Sequence, residues 1–321
     1  MKMDTIKVKE SIQHAAESIQ SDVVNTPILQ SQYINDKYSV KVIFKCENFQ
    51  RTGSFKFRGA LYGIKQSIKE DKDCQFCGHS SGNFAQALAM AAKINQKKAT
   101  VFMPQNAPQT KVDGVRYAGG EIVFTGNTIV DRENAINEFL TTHKNYKGLH
   151  PSNDYSMIIG NATITLEMLS ENSDLDMVIV PVGGGGILAG TALAAHHFAP
   201  HIKVYGAEPS GAADAVASLA TGLIQPSIQP QTIADGLRTQ LGDVNFPIIQ
   251  RHVTDILTVD DDETIMAMKD VYQYLKIVIE PSSALPLALI KKYPKVFANK
   301  RIGIIITGGN LDLINLAEIF K

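Results

Sequence analysis

Hydrophobic and polar positions follow one another in blocks along this chain, and their period switches repeatedly between that of a strand and that of a helix. Lys41 to Cys46 is a short apolar run of strand type. After it, Phe57, Leu61, Ile64 and Ile68 recur at helical spacing, with Ser54 placed to cap that helix. Gln75 to Ser80 reads as the next strand and Phe84 to Asn95 as an alanine-rich helix. Strand Ala99 to Met103 leads to helix Thr110 to Tyr117, ended by Gly119 and Gly120, and strand Glu121 to Thr125 to helix Thr128 to His143. A second series begins after His150 and Pro151. Asp176 to Val182 is nearly all apolar, the pattern of a strand covered on both faces. Gly183 to Gly186 turn into a helix over Ile187 to Phe198, and strands follow at Val204 to Ala207 and Ile302 to Ile306. Such alternation predicts an α/β fold of mostly parallel sheets flanked by helices. Residues 72–148 form a self-contained series, read as a small mobile domain set into a large discontinuous one of residues 1–71 and 149–321.

Composition narrows the picture by exclusion. A chain of 321 residues exceeds one ordinary core and suits two lobes. A net charge of −1 gives no attraction to nucleic acid or to an anionic membrane, and no apolar run nears the ~20 residues that span a bilayer. Met1 to Lys7 lacks a signal-peptide apolar stretch, so the cytoplasm is the expected location. Three cysteines, Cys46, Cys74 and Cys77, argue against a disulfide framework. Cys74 and Cys77 have metal or redox spacing, yet no second pair or nearby histidine completes a site; they read as strand residues facing opposite layers.

Chemistry concentrates after the strands. Lys56 lies just inside a helix start, between Phe55 and Phe57. Partial desolvation there would lower its pKa and free its amine as nucleophile and base, able to hold a carbonyl cofactor as a Schiff base. Gly183 to Gly186, between a buried strand and a helix, form a phosphate cradle of backbone N–H groups at a positive dipole end. The run is not the dinucleotide fingerprint, although Glu208 lies close to the offset of its acidic residue. Ser80, Ser81, Gly82 and Asn83 open another helix and suit a carboxylate or a cofactor oxygen; helix capping by Ser81 or Asn83 reads equally well. Thr307 to Asn310 end the last strand. Strand ends of this kind, with a shielded lysine, suggest one shared crevice.

Together these pieces resemble the fold-type II pyridoxal-phosphate enzymes, with a tryptophan synthase β-like fold, and within them the serine racemase and serine/threonine dehydratase family. The resemblance runs from Thr26 to the C-terminus. It is carried by Ser54–Ala60, Ser80–Asn83, Gly183–Gly186, Glu208–Ser210 and Thr232–Arg238, in that order. It implies that Lys56 holds pyridoxal 5'-phosphate and acts as base at Cα. Phe55 would lie beside the ring, Asn83 at the ring oxygen, the glycine run at the phosphate and Thr307 at the ring nitrogen. Ser80, Ser81 and Gly82 would hold the substrate carboxylate, next to Phe84. Glu208, Asp214 and the Ala212 carbonyl would hold a divalent cation, Mg²⁺ with Mn²⁺ or Ca²⁺ as alternatives. A homodimer is expected. Arg132 falls where some relatives have a substrate-side arginine, but an arginine on a helix is more often exposed and is left out of the catalytic set.

The implied activity is an ammonia-lyase (dehydratase) that converts a 3-hydroxy amino acid to a 2-oxo acid and ammonia. Two alternatives stand beside it: a racemase using Ser81 as base on the face opposite Lys56, and a cysteine-synthase-type transferase. Several positions depart from the family. Phe84 and Ala85 replace His-Gly, Asn161 and Ala162 replace Gln-Gly, Thr307 replaces serine, and Ser283 stands at a usual glycine. These departures point to a bulkier 3-hydroxy amino acid than serine or threonine. A regulatory domain after Asn310 is not expected.

Overall fold

The computed structural model describes residues 5–320. Its ten strands in chain order are β1 (Ile28–Leu29), β2 (Lys41–Cys46), β3 (Gln75–His79), β4 (Ala99–Pro104), β5 (Glu121–Thr125), β6 (Tyr146–Gly148), β7 (Met177–Pro181), β8 (Lys203–Pro209), β9 (Asp255–Val259) and β10 (Arg301–Ile306). The larger sheet has the order β1-β2-β10-β7-β8-β9, parallel except for β1 against β2. The smaller has the order β5-β4-β3-β6, is parallel throughout and lies within residues 75–148.

The apolar runs are explained by burial on both faces. Along β7 and β10, Val178, Val180 and Ile305 face one cluster of buried side chains. Met177, Ile179, Ile302, Ile304 and Ile306 face the other. Helices Lys56–Glu70, Tyr155–Glu171 and Gly186–Phe198 contribute Leu61, Met157 and Leu188 to the first cluster. Helices Asp261–Tyr274 and Leu285–Lys292 contribute Met268 and Leu289 to the second. The first cluster continues into the smaller sheet through Phe76, Leu88 and Val101.

Most predicted strands and helices form with ends shifted by one to three residues. Strands β1, β6 and β9 escape periodicity, two being only 2 and 3 residues long and the third partly open to solvent. Ser54 does not cap its helix. The helix begins at Lys56 after Phe55, and the buried Ser54 hydroxyl has no partner. Instead the backbone before the helix is stitched to the end of β10: the Phe55 N–H donates to the Thr307 carbonyl at 2.9 Å and the Gly309 N–H to the Gly53 carbonyl at 2.9 Å. These tertiary hydrogen bonds fix the entry to the helix, while its first turn closes on the backbone carbonyls of Ser54 and Phe55. Cys74 and Cys77 are buried, unpaired as disulfides, and lie in different clusters.

Behind Lys56 sits a buried charge network. Arg58 is fully buried and donates to Glu47 at 2.9 Å and to Glu167 at 2.6 and 2.8 Å. Lys45, also fully buried, pairs with Glu167 at 2.8 Å. Two cations and two carboxylates balance, the condition under which buried charge is tolerated.

Candidate active site

Chain segments following β2, β3, β7 and β10 meet around one cavity of about 530 Å³. Strand ends in a parallel sheet leave such a crevice because successive connections diverge there. Phe55, Lys56, Ser80, Ser81, Gly82, Asn83, Phe84, Gly183 to Gly186 and Thr307 all line it. Glu208, Ala212 and Asp214 lie outside its lining.

Lys56 is the first residue of its helix, and the stitch to Thr307 places the two side by side. Its amine donates to the Pro151 carbonyl at 2.7 Å and stands 4.9 Å from the Phe55 ring centre. Burial pulls its pKa down to about 8, against the opposing pull of Glu280. A desolvated ammonium loses hydration that the neutral amine does not need, so a nucleophilic base is accessible near neutral pH.

The glycine run is built around Gly185, at φ 80°, a left-handed conformation that glycine adopts without steric cost. It precedes the helix Gly186–Phe198, whose first N–H groups have no intrahelical partner. The Asn245 side chain holds the run by donating to the carbonyls of Gly184 at 2.8 Å and Ser152 at 3.1 Å. An anion fits this cradle.

Opposite it, Ser80 to Asn83 lead into the helix Asn83–Ile94. No side chain caps that helix. The Ser80 hydroxyl accepts from the Gly82 N–H at 3.0 Å, while Ser81 is exposed and makes no side-chain hydrogen bond among the described residues. The amide of Asn83 is fixed at both ends. Its NH₂ donates to both Glu280 oxygens at 3.0 Å, and its oxygen accepts from Asn310 at 2.9 Å. Burial pushes Glu280 up to about 7, reinforced by Asp235 and opposed by Lys111, Asn83 and Lys56.

The departures fall in different places. Phe84 packs its ring over Gly78 and is 1% exposed, so it fills core beneath the loop and adds little surface to the cavity. Asn161 is not in the cavity lining. It is fully buried where its helix crosses Gly59, with both side-chain polar atoms unpartnered. Thr307 and Ser283 touch, their hydroxyls 3.0 Å apart, and Ser283 also donates to the Gly308 carbonyl at 2.9 Å.

Arg132 corrects the expectation of an exposed side chain. It is 8% exposed and lines the cavity. One terminal nitrogen donates to the Asn127 carbonyl at 3.3 Å, the buried Nε has no partner, and no carboxylate pairs with it among the described residues. Burial lowers its pKa.

Glu280, Lys111, Asp235 and His150 also line the cavity and escaped the sequence reading. Glu280 left a signal as an acid set in the apolar stretch Ile277 to Pro281, and Asp235 lies within the Thr232–Arg238 motif. His79, Glu133 and His150 bring one ligand atom each within 4.8 Å of one another. Yet His150 Nδ1 accepts from the backbone N–H groups of Ser152 at 3.2 Å and Asn153 at 2.8 Å. Burial holds that ring neutral, pulling its pKa down to about 4, so its proton sits on Nε2. His79 and His150 meet edge to face, with ring centres 5.5 Å apart.

Away from the cavity, Glu208 ends β8 and accepts from the backbone N–H groups of Ala215 at 2.7 Å and Val216 at 2.8 Å. Asp214 is buried, and neither carboxylate oxygen meets a donor in hydrogen-bond geometry. Burial pushes Glu208 up to about 8 and Asp214 to about 6. Two buried carboxylates, that of Asp214 with no hydrogen-bond donor in contact, suit a hard cation.

The sequence profile described as "Pyridoxal-phosphate dependent enzyme" matches residues 19–308. The chain belongs to the pyridoxal-phosphate-dependent enzymes. A serine racemase of Dictyostelium discoideum is 40% identical over 323 residues, spanning 99% of each chain. A beta-hydroxyaspartate dehydratase of Paracoccus denitrificans is 40% identical over 97% of this chain and 98% of its own. The solved structure of maize serine racemase superposes with a TM-score of 0.92 at 38% identity, covering 97% of this chain and 96% of the maize chain. As in other pyridoxal-phosphate enzymes of fold type II, the cofactor is pyridoxal phosphate, and the cavity fits it: a low-pKa lysine and a glycine anion cradle line the same space of about 530 Å³. No helix among the described residues is long and apolar enough to cross a membrane.

Proposed function

We propose that this protein is an ammonia-lyase acting on a 3-hydroxy amino acid, with a second carboxylate on the substrate read by Arg132. The observation that carries the reaction is Lys56, a desolvated amine opening onto the cavity between the glycine cradle and the Ser80–Asn83 loop. Pyridoxal phosphate, when bound, supplies the electron sink for the Cα carbanion. Gly183 to Gly186 would hold its phosphate, Phe55 would lie against its ring, Asn83 would meet its ring oxygen and Thr307 its ring nitrogen. Ser80, Ser81 and Gly82 hold the substrate α-carboxylate. Lys56 takes the Cα proton as base, the β-carbon–oxygen bond breaks, and the hydroxyl leaves as water with the proton that Lys56 then gives up. The released enamine takes up water to give a 2-oxo acid and ammonia. Residues 72–148 move as a small domain over a large one of residues 1–71 and 149–321.

Support for a dicarboxylic substrate comes from the Arg132 guanidinium, which lines the cavity with no carboxylate in direct contact among the described residues and feels Glu133 and Asp131 only at longer range. A buried cation with no carboxylate in contact favours a ligand that brings one. An L-threo-3-hydroxyaspartate ammonia-lyase of a Pseudomonas species is 40% identical over 96% of this chain. Rates for serine, threonine, phenylserine and 3-hydroxyaspartate test the reading. 3-Hydroxyaspartate should lead, and Arg132→Met should lower its kcat/KM about 100-fold while changing serine little. A clear preference for serine would refute it.

Racemisation is the second reading, supported by the serine racemase relatives. The exposed Ser81, with no side-chain hydrogen bond to activate it, favours elimination. Chiral analysis of recovered substrate separates the two. Glu208, Asp214 and the Ala212 carbonyl are proposed to hold Mg²⁺, and a homodimer is proposed on the same relatedness.

A further inference from the structure

The segment Thr232 to Arg238 takes no part in the chemistry above, yet it is built with care. The Thr232 hydroxyl donates to Asp261 at 2.7 Å, the Ile233 N–H donates to the same carboxylate at 3.0 Å, and the Ala234 N–H returns to the Thr232 hydroxyl at 3.1 Å. Arg238 Nε donates to the Thr232 carbonyl at 3.2 Å and closes the loop. The turn Asp235–Leu237 therefore has little freedom. One side of it lies against the phosphate cradle: a Cβ on Gly183 would come within 2.7 Å of the Leu237 Cα. From its other side the Asp235 carboxylate pairs with the Lys111 ammonium.

Lys111 belongs to the other half of the cleft. It sits on helix Gln109–Tyr117, is 8% exposed, and lays its stem along the substrate loop. A Cβ on Gly82 would meet Lys111 Cδ at 2.7 Å and Nζ at 2.9 Å, so the glycine makes room for this lysine. One ion pair thus links the Ser80–Asn83 loop to the turn that packs on Gly183. Among the described residues it is the one salt bridge joining residues 72–148 to residues after 149.

We propose that Lys111 and Asp235 are a positioning pair that sets the substrate-carboxylate loop over the cofactor cradle. Neither touches the reacting atoms. Glu280 and Asn310 anchor the loop only at its Asn83 end, so without the pair the Ser80–Gly82 part spends some of its time displaced, and substrate must supply the free energy that restores it. The pair is enclosed on the lysine side, which limits screening, but the Asp235 side chain is 42% exposed, so salt still reaches it.

The proposal rests on the lyase or racemase reading only for its kinetic arm. Purified holoenzyme is compared with Lys111→Met, which keeps the stem over Gly82, with Asp235→Asn, and with both together. Each single variant should raise KM about tenfold with kcat within a factor of two, and the double should be no worse than either. The charge-swapped pair Lys111→Glu with Asp235→Lys should recover most of the loss. Hydrogen exchange of the Ser80–Gln86 amides needs no turnover. It should quicken about tenfold in each single variant, and in the unmutated enzyme as salt is raised. Loss of activity on every substrate with exchange behaving as stated would sink the functional reading and leave this one standing. Additive kinetic losses, or amide exchange unmoved by either substitution and by salt, would overturn it.

Discussion

Rebinding of pyridoxal phosphate to stripped enzyme should follow the titration of Lys56. The perturbation is pH, varied from 6 to 10 during reconstitution. Attack on the cofactor carbonyl needs the neutral amine, so the rate rises with pH and levels off once that form predominates. An ordinary lysine, at about 10.4, leaves only ~0.1% of its amine free at pH 7.5. With the Lys56 pKa pulled down to about 8, roughly a quarter of the amine is free at that pH, an advantage of about 200-fold. Two physical causes set the value. Burial disfavours the ammonium, and Glu280 partly restores it. Glu280→Gln should therefore shift the midpoint further down, because the restoring charge is gone. The assay is growth of the bound-cofactor absorbance after rapid mixing, with borohydride reduction and peptide mapping to fix the attachment at Lys56. A rate that keeps climbing toward pH 10, or an attachment at another lysine, would refute the reasoning.

Three further outcomes follow from the same geometry. Arg58→Met should cost about 3–5 kcal/mol in denaturant unfolding, because Glu47 is left buried with the Thr26 hydroxyl at 2.6 Å as its side-chain donor; adding Glu47→Leu should recover part of that, and a loss below about 1 kcal/mol would show the network to be passive. Mg²⁺ should raise the melting temperature of the native protein by a few degrees and leave Asp214→Asn unmoved, since that substitution removes one of two buried carboxylates; an equal rise in both would place the cation elsewhere. Gly185→Ala should cost about 1–2 kcal/mol through its left-handed backbone and weaken cofactor retention in dialysis, and unchanged retention would argue against the cradle.

The chain by itself determined what depends on neighbours in sequence. A residue's place in a strand or helix is set by the apolar period around it, so β2, β3, β7 and β10 and the helices after the first three were legible. Lys56 at a helix start, the glycine run after β7 and the Ser80–Asn83 loop after β3 were legible for the same reason: a strand end followed by small or polar residues and a helix is a local pattern. That these motifs open onto one cavity followed from parallel topology. What only the tertiary structure decided involves partners that no local period connects. Asn83 meets Glu280, Ser283 meets Thr307, and Lys111 meets Asp235, across separations of 197, 24 and 124 residues. The entry to the Lys56 helix is set by the stitch from Phe55 to Thr307, with the Ser54 hydroxyl left unpartnered, because a backbone N–H takes whichever carbonyl the fold brings near. Arg132 was misjudged for the same reason: helical spacing says which face a side chain is on, while its burial depends on what the rest of the chain packs against that face.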